Sequence, residues 1–435
     1  MGLTGEANEI ASALSRNAYV PPGGFSKWNV ALAAAKAGTG TATVWGLGAS
    51  IVDGGTVVAD VMTDGYFAQW RQAKVNAGYP IHGDTLLSTK AVQYQALATS
   101  TTGFPFVYDA APNGTTAWGF YGPFTVPIWS TTVTLPLIHY VHPSVALGYN
   151  ARSLRIFYWD PGSQDGGISG SGATWHYNVD GANDATVTLT GSNTIKTIDI
   201  TNLANSAGHT LNFGNQSAGG AMMLIGVASY PGIAVSTTGV HYSWFSQNGG
   251  FSLGDLGRTD LFWPSDRIAR WIGTTSTAAL FTPSSTLSPP FAPDLCFIDV
   301  FDDMPNVGTA TYAGATPSFS IHGLPPDAHL HVLRRICQAL RRKSTGCDIV
   351  HHMPNFADGT VSDTSPGASY NLQNAWHYYL PQYQLAQLNG HGYLNTDAEW
   401  GGLGLTLGYL SAGNPHPTKA GFTDIANRIA SRLGL

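Results

Sequence analysis

Ala42-Thr43-Val44-Trp45-Gly46-Leu47, leading into Gly48-Ala49-Ser50, is the stretch that decides the architecture of this chain. A continuous apolar run closed by glycine predicts a strand buried on both faces, the habit of parallel sheets. The serine then stands on a tight turn at the strand's carboxyl end. Downstream, Tyr66, Phe67, Trp70, Ala73 and Lys74 predict a helix capped by Asp64 and closed by Gly78 and Pro80. Upstream, Ser26 is the expected cap of a helix over 28–37 that Gly38 ends, and Pro21-Pro22-Gly23-Gly24 reads as a joint. Strand, turn and helix make half of a parallel α/β unit.

The same pattern resumes far along the chain. Val240 to Phe245 and Leu295 to Phe301 read as strands, the second ending at Asp302-Asp303, and Asp348-Ile349-Val350 starts another. Helices are expected over 259–271, from an Asp327 cap with Leu330, Leu333, Ile336, Cys337 and Leu340 on one face, and over 378–389. The last helix, 418–433, aligns Phe422, Ile425, Ala426, Ile429 and Leu433 at three-to-four spacing. It is preceded by Asn414-Pro415-His416-Pro417. Ligands of such sheets bind at the carboxyl ends of the strands, where Ser50, Asp302, Asp303 and His351 are expected, with His416 on the same side.

Between the two α/β parts the texture changes. Residues 104–235 hold three basic residues (Arg152, Arg155, Lys196) and six acidic ones, and short β-rich runs alternate with Gly, Asn, Asp and Ser clusters. The runs fall at 154–159, 174–179, 186–189, 194–200, 210–213 and 222–228, which predicts an antiparallel β-sandwich. The expected domains are therefore an appendage over 1–27, an α/β part over 28–103, an inserted sandwich over 104–235, and the rest of the α/β part over 236–435. The fold class is α/β, a three-layer parallel-sheet architecture with that insertion.

Composition narrows the function classes. Of 435 residues only 11% are charged, and the net charge of −6 gives no electrostatic case for nucleic acid. The neutral, polar surface this implies suits contact with neutral glycans, and solubility alone would also explain it. No apolar stretch reaches the length of a membrane span. Met1-Gly2-Leu3-Thr4-Gly5-Glu6 lacks the basic and apolar regions of a secretory signal. The cysteines, Cys296, Cys337 and Cys347, show no metal-ligand spacing; Cys296 in an apolar strand and Cys337 on a helix read as buried thiols.

The Ser50 and His416 stretches resemble the first and last blocks of the SGNH (GDSL-type) hydrolases, over roughly 28–100 and 236–435. The resemblance implies an SGNH-like, flavodoxin-like fold and a serine esterase or acylhydrolase. Ser50 matches the nucleophile, with Gly48-Ala49-Ser50 in place of the usual Gly-Asp-Ser, and His416 matches the base. The Ser50 N–H would join an oxyanion hole with the N–H of Gly254 or Gly250. The position where the family carries asparagine is Asp303, which donates only when protonated; Asn306 is the alternative donor. Gly413 stands where the triad acid is usual, so the ring of His416 would be oriented by a backbone carbonyl or by Asp302. No cofactor and no metal are expected. The overall texture is also similar to SGNH-like proteins of actinobacterial viruses.

Two functions follow. One is hydrolysis of an acyl ester on a cell-envelope glycan or lipid, the sandwich holding the polymer near the site. The other is a catalytically degenerate, glycan-binding component of a virus tail. Residues 1–27 would meet other virion proteins or a second copy, and the expected location is the virion, or else the cytoplasm or an exported pool without a recognisable signal. Trp129, Trp159, Trp175 and Tyr177 are candidate sugar platforms, with core as their ordinary role. His351-His352 and His329-x-His331 lack acidic or thiol partners at ligand spacing and are read as structural. The Arg334 to Lys343 cluster is read as a solvated helix face.

Overall fold

Residues 42–48 are buried on both faces, as a continuous apolar run requires. The computed structural model makes them an interior strand of a large mixed sheet. It describes residues 17–48, 50–53, 60–87, 105–108, 128–129, 138–160, 172, 174–192, 194–215, 221–222, 224–233, 238–246, 293–299, 326–341, 346–353, 376–400, 403–411 and 416–435.

The elements begin with β1 (Ala18–Tyr19), α1 (Ser26–Lys36), β2 (Thr41–Gly48), α2 (Ser50–Asp53), α3 (Val61–Asp64), α4 (Tyr66–Asn76) and β3 (Ile81–Leu87). There follow β4 (Phe106–Tyr108), β5 (Ile128–Trp129), β6 (Ile138–Val141), α5 (Ser144–Leu147), β7 (Ser153–Asp160) and β8 (Thr174–Val179). Next come β9 (Ala185–Thr188), β10 (Thr194–Ile200), β11 (Thr210–Asn215), β12 (Ala221–Met222), β13 (Leu224–Tyr230) and β14 (Gly239–Ser246). The chain closes with β15 (Leu295–Asp299), α6 (Pro326–Arg341), β16 (Asp348–Met353), α7 (Trp376–Asn389), β17 (Gly392–Asn395), α8 (Thr396–Trp400) and α9 (Lys419–Leu433).

In the large sheet the order is β1-β17-β16-β15-β2-β14-β3-β13-β7-β10. From β17 to β3 every neighbouring pair is parallel. The chain moves outward from β2 to β3, returns to β14 between them, then crosses to β15 on the other side of β2. The strand order therefore reverses at β2, the topological switch point where α/β sheets bind ligands.

Helices cover both faces. Phe297 on β15 meets Phe67 and Trp70 of α4, and His352 on β16 meets Tyr66. His351, one residue before His352, points oppositely and lies against Gln382 of α7. So α1, α4 and α9 form one layer, whose core holds Trp28, Val44, Phe67, Trp70, Phe297, Val350 and Phe422. The other layer packs Leu333, Ile336 and Cys337 of α6 with Tyr379 and Ala386 of α7. Of the expected apolar stripe of α6, Leu333, Ile336, Cys337 and Leu340 are buried and Leu330 is half-buried.

Strands of the 104–235 segment divide between two sheets. β13, β7 and β10 continue the large sheet by antiparallel pairing beyond β3. A separate antiparallel sheet has the order β4-β6-β11-β8-β9, and β5 pairs β12. Trp175 of β8 is fully buried and meets Tyr158 of β7 edge-on at 5.3 Å, so it joins the sheets instead of stacking on a sugar. Tyr177 lies beside it at 6.1 Å.

Local expectations about caps are corrected. Ser26 is the first helical residue of α1 and Phe25 its N-cap; the Trp28 N–H instead donates to Asp348 Oδ2 at 2.9 Å. Asp64 does not cap α4, whose N-cap is Gly65. It ends α3, which Asp60 caps by accepting from the Met62 N–H at 2.8 Å. The strand expected to run to Phe301 is described as far as Asp299, and β16 runs on through Met353, so His351 and His352 lie inside it. The helix expected over 259–271 lies outside the described residues.

Candidate active site

Ser50 is the first residue of α2, just past the carboxyl end of β2. Ile51 and Val52 are fully buried and hold this short helix against α4 and β14. Gly48 is pressed onto the neighbouring strand end. A Cβ there would lie 2.6 Å from the Asp299 carbonyl oxygen and 2.7 Å from Asp299 Cβ. Gly46 is similarly tight, its Cβ position 2.8 Å from Val52 Cγ1. These two glycines let the serine turn approach both the helix layer and β15.

Beside this turn lies a pairing that sequence reading missed. Asp299 and His352 face each other across β15 and β16, and His352 Nδ1 is 2.9 Å from Asp299 Oδ2. His352 Nε2 is 2.8 Å from the Thr396 hydroxyl at the start of α8, and Tyr66 packs on its ring at 5.0 Å. The Asp299 and His352 side chains are wholly buried. A buried carboxylate is tolerable only when hydrogen-bonded or paired, and this chain of bonds from Asp299 to Thr396 fixes the strand ends under Gly48. The one available signal was an aspartate inside an apolar strand, two residues before its expected end at Phe301.

His416 is half-buried and precedes α9. Pro417 bridges to Leu410, and the Thr418 N–H donates to the Tyr409 carbonyl at 2.8 Å. Thr418 caps α9, accepting from the Gly421 N–H at 3.2 Å. The first two turns are tied to α3 and α4: Lys419 Nζ is 2.5 Å from Asp64 Oδ1, and the Thr423 hydroxyl donates to Gln69 Oε1 at 2.6 Å. Since α3 also packs on α2, the helices that Ser50 opens and His416 precedes share α3 as a common neighbour. Partial burial pushes the Asp60 carboxyl up, opposed by the Met62 N–H and by Lys419, while Asp64 adds to the rise.

Gly250, Gly254, Asp302, Asp303, Asn306 and Gly413 lie outside the described residues, as do the side chains of Ser50, Trp129 and Trp159. Among the described residues, Cys337, His351 and His391 form a group able to hold a metal ion, in the layer opposite Tyr66.

No protein-family model matches the sequence, and no curated protein matches it. Among solved structures the chain is similar to a peptidoglycan O-acetylesterase, with 12% identity, 94% of this chain and 95% of that one covered, and a TM-score of 0.49. It is also similar to a carbohydrate esterase family 2 enzyme with a carbohydrate-binding domain from Corynascus thermopiles (Myceliophthora fergusii), with 13% identity, coverage of 73% and 98%, and a TM-score of 0.27. A third is the salicylyl-acyltransferase SsfX3 of a tetracycline biosynthetic pathway, with 13% identity, coverage of 68% and 82%, and a TM-score of 0.24.

Proposed function

We propose that this chain is a serine esterase of SGNH type that hydrolyses an acyl ester on a cell-envelope glycan or lipid. The observation that carries the reading is the position of Ser50. It opens a helix at the carboxyl end of the strand where the sheet order reverses, the location at which α/β sheets bind ligands. A serine hydroxyl needs a base and a preplaced oxyanion donor. In this reading Ser50 Oγ attacks the ester carbonyl as His416 takes its proton. The tetrahedral oxyanion accepts from the Ser50 N–H and from Gly250 or Gly254. His416 then returns the proton to the departing alkoxide, and water repeats the sequence on the acyl-enzyme. The buried Asp299–His352–Thr396 chain acts as a rigid floor and touches no reactant.

The glycan assignment rests on the resemblance in the Ser50 and His416 blocks and on the low charge of the chain. Hydrolysis of a short-chain nitrophenyl ester and of an O-acetylated glycan is expected for the wild type. Ser50→Ala is expected to lose it by about 10³-fold or more. Equal, background-level turnover in both proteins would overturn the esterase reading, and glycan binding that persists without turnover would mark a binding module instead.

A further inference from the structure

Away from the Ser50 edge, on the face of the sheet that α6 and α7 cover, the structure gathers a thiol and two imidazoles. Cys337 comes from α6, His351 from the middle of β16, and His391 from the junction between α7 and β17. All three are buried, and their ligand atoms lie within 4.8 Å of one another. His351 Nε2 is 2.8 Å from His391 Nδ1 and 4.0 Å from Cys337 Sγ. We propose that Cys337, His351 and His391 form a structural site for a thiophilic d¹⁰ cation, zinc(II) or copper(I).

The donor set argues for this class of ion. One thiolate with two imidazoles is a soft, nitrogen-and-sulfur environment that disfavours magnesium or calcium. Zinc in a tetrahedral site would separate two nitrogens by roughly 3.3 Å and nitrogen from sulfur by roughly 3.6 Å. The rings therefore open by about half an ångström and the thiol closes by a similar amount, within the reach of side-chain torsions. Charge separates the two ions: a thiolate neutralises copper(I) fully and leaves one positive charge with zinc.

Gln382 supplies the second observation. It is fully buried on α7, its Nε2 lies 3.4 Å from His351 Nδ1, and its Oε1 has no hydrogen-bond partner among the described residues. A ligating histidine donates its other ring N–H to a fixed acceptor. With His351 bound through Nε2 its proton sits on Nδ1, and turning the Gln382 amide over presents Oε1 to accept it. The buried amide that faces His351 Nδ1 can thus serve a ligating ring as its acceptor. Binding forms one metal–sulfur and two metal–nitrogen bonds and releases one proton, from the Cys337 thiol. It would pin α6 and the α7–β17 junction onto β16.

The test uses untagged full-length protein purified with a thiol reductant and without chelator. Elemental analysis is expected to find one equivalent of zinc or copper per chain. After chelator stripping, zinc(II) and copper(I) are titrated separately against a competing chromophoric chelator, which tells the two ions apart. Cobalt(II) added to stripped wild type is expected to give thiolate-to-metal charge-transfer and tetrahedral ligand-field bands. Cys337→Ala and His391→Gln should lose the metal and lower Tm, whereas Cys296→Ala, which removes a buried thiol outside the cluster, should keep it. Should the cluster variants fail to fold, the cobalt spectrum of wild type decides alone. Wild type that carries no metal as purified, gives no cobalt charge-transfer band and keeps the same Tm with either ion would overturn the proposal.

Discussion

Replacing Gly48 by alanine tests whether the serine turn is held by contact with β15. The added methyl would sit 2.6 Å from the Asp299 carbonyl oxygen and 2.7 Å from its Cβ. Ordinary contact needs about 3.4 Å or more between carbon and its neighbours, so β2 and β15 must part by close to an ångström locally. Asp299 cannot yield freely, because its carboxylate holds His352 at 2.9 Å and His352 holds Thr396 at 2.8 Å. Overpacking of this kind costs about 2 kcal/mol, and the glycine's φ of +154°, unfavourable for alanine, adds about 1 kcal/mol. The expected loss is therefore about 3 kcal/mol in urea unfolding. Ser50 lies two residues on, and displacement of a reacting group by an ångström lowers turnover by about 10²-fold. Ester hydrolysis per folded molecule should fall accordingly. Gly46→Ala is the internal comparison. Its methyl meets side-chain atoms, Val52 Cγ1 at 2.8 Å and the Phe67 ring at 3.0 Å, which can shift, so it should cost less than Gly48→Ala. The reasoning is refuted if Gly48→Ala unfolds within about 0.5 kcal/mol of wild type, or if Gly46→Ala proves the more damaging of the two.

Three further outcomes are expected. Arg71 is buried on α4 and binds Asp84 of β3 through two 2.8 Å bonds while its Nη2 also donates to the Leu147 carbonyl. Arg71→Met leaves Asp84 buried without that partner and should lose about 3–5 kcal/mol in urea unfolding; Arg71→Met with Asp84→Leu should recover part of it. Burial holds the His142 imidazole down at about 4, against the favourable pull of the Tyr149 carbonyl and Asp84 and with added push from His209 and Arg71. Its folded value is depressed, so its stabilisation is fully present above the unfolded value of about 6.5 and is lost as pH falls from there toward 4, by roughly 3 kcal/mol in all. Urea unfolding from pH 7.5 to 4.5 should show a smaller slope in His142→Gln than in wild type, and parallel curves would show that His142 is not the group responsible. Asp303→Asn should raise kcat for ester hydrolysis, because it replaces an acceptor with a donor where the oxyanion would form; a fall in kcat would show that Asp303 has another role.

Residues whose meaning is local were legible in the sequence. The unbroken apolar run to Leu47 announces a strand buried on both faces, and Ala42 to Gly48 are so buried. The three-to-four spacing of Phe422, Ile425, Ala426, Ile429 and Leu433 announces the face that α9 buries. The stripe through Leu333, Ile336, Cys337 and Leu340 does the same for α6. Each signal is a period or a terminator carried within a few consecutive residues.

What depends on partners distant in the chain was decided only by the tertiary structure. The α1 N–H groups look to Ser26 in the sequence, yet Trp28 finds Asp348, 320 positions away. His351 and His352 looked alike as neighbours after a strand. Inside β16 the alternation sends His352 to Asp299 and His351 to His391 and Gln382, giving adjacent identical residues opposite roles. β3 and β17 were unseen: β17 spans only Gly392–Asn395, and β3 carries His82, Gly83 and Asp84 within an apolar frame. The sharing of β13, β7 and β10 with the large sheet was likewise unmarked, since a strand's own residues specify which face is apolar but not which strand it will pair. The sequence by itself determined the alternation of α/β elements, the buried strand that ends in Gly48 just before Ser50, and the amphipathic final helix. The pairing of strands, the Asp299–His352–Thr396 chain and the Cys337–His351–His391 cluster came from the fold, because hydrogen bonds and ligand geometry arise between residues that only folding brings together.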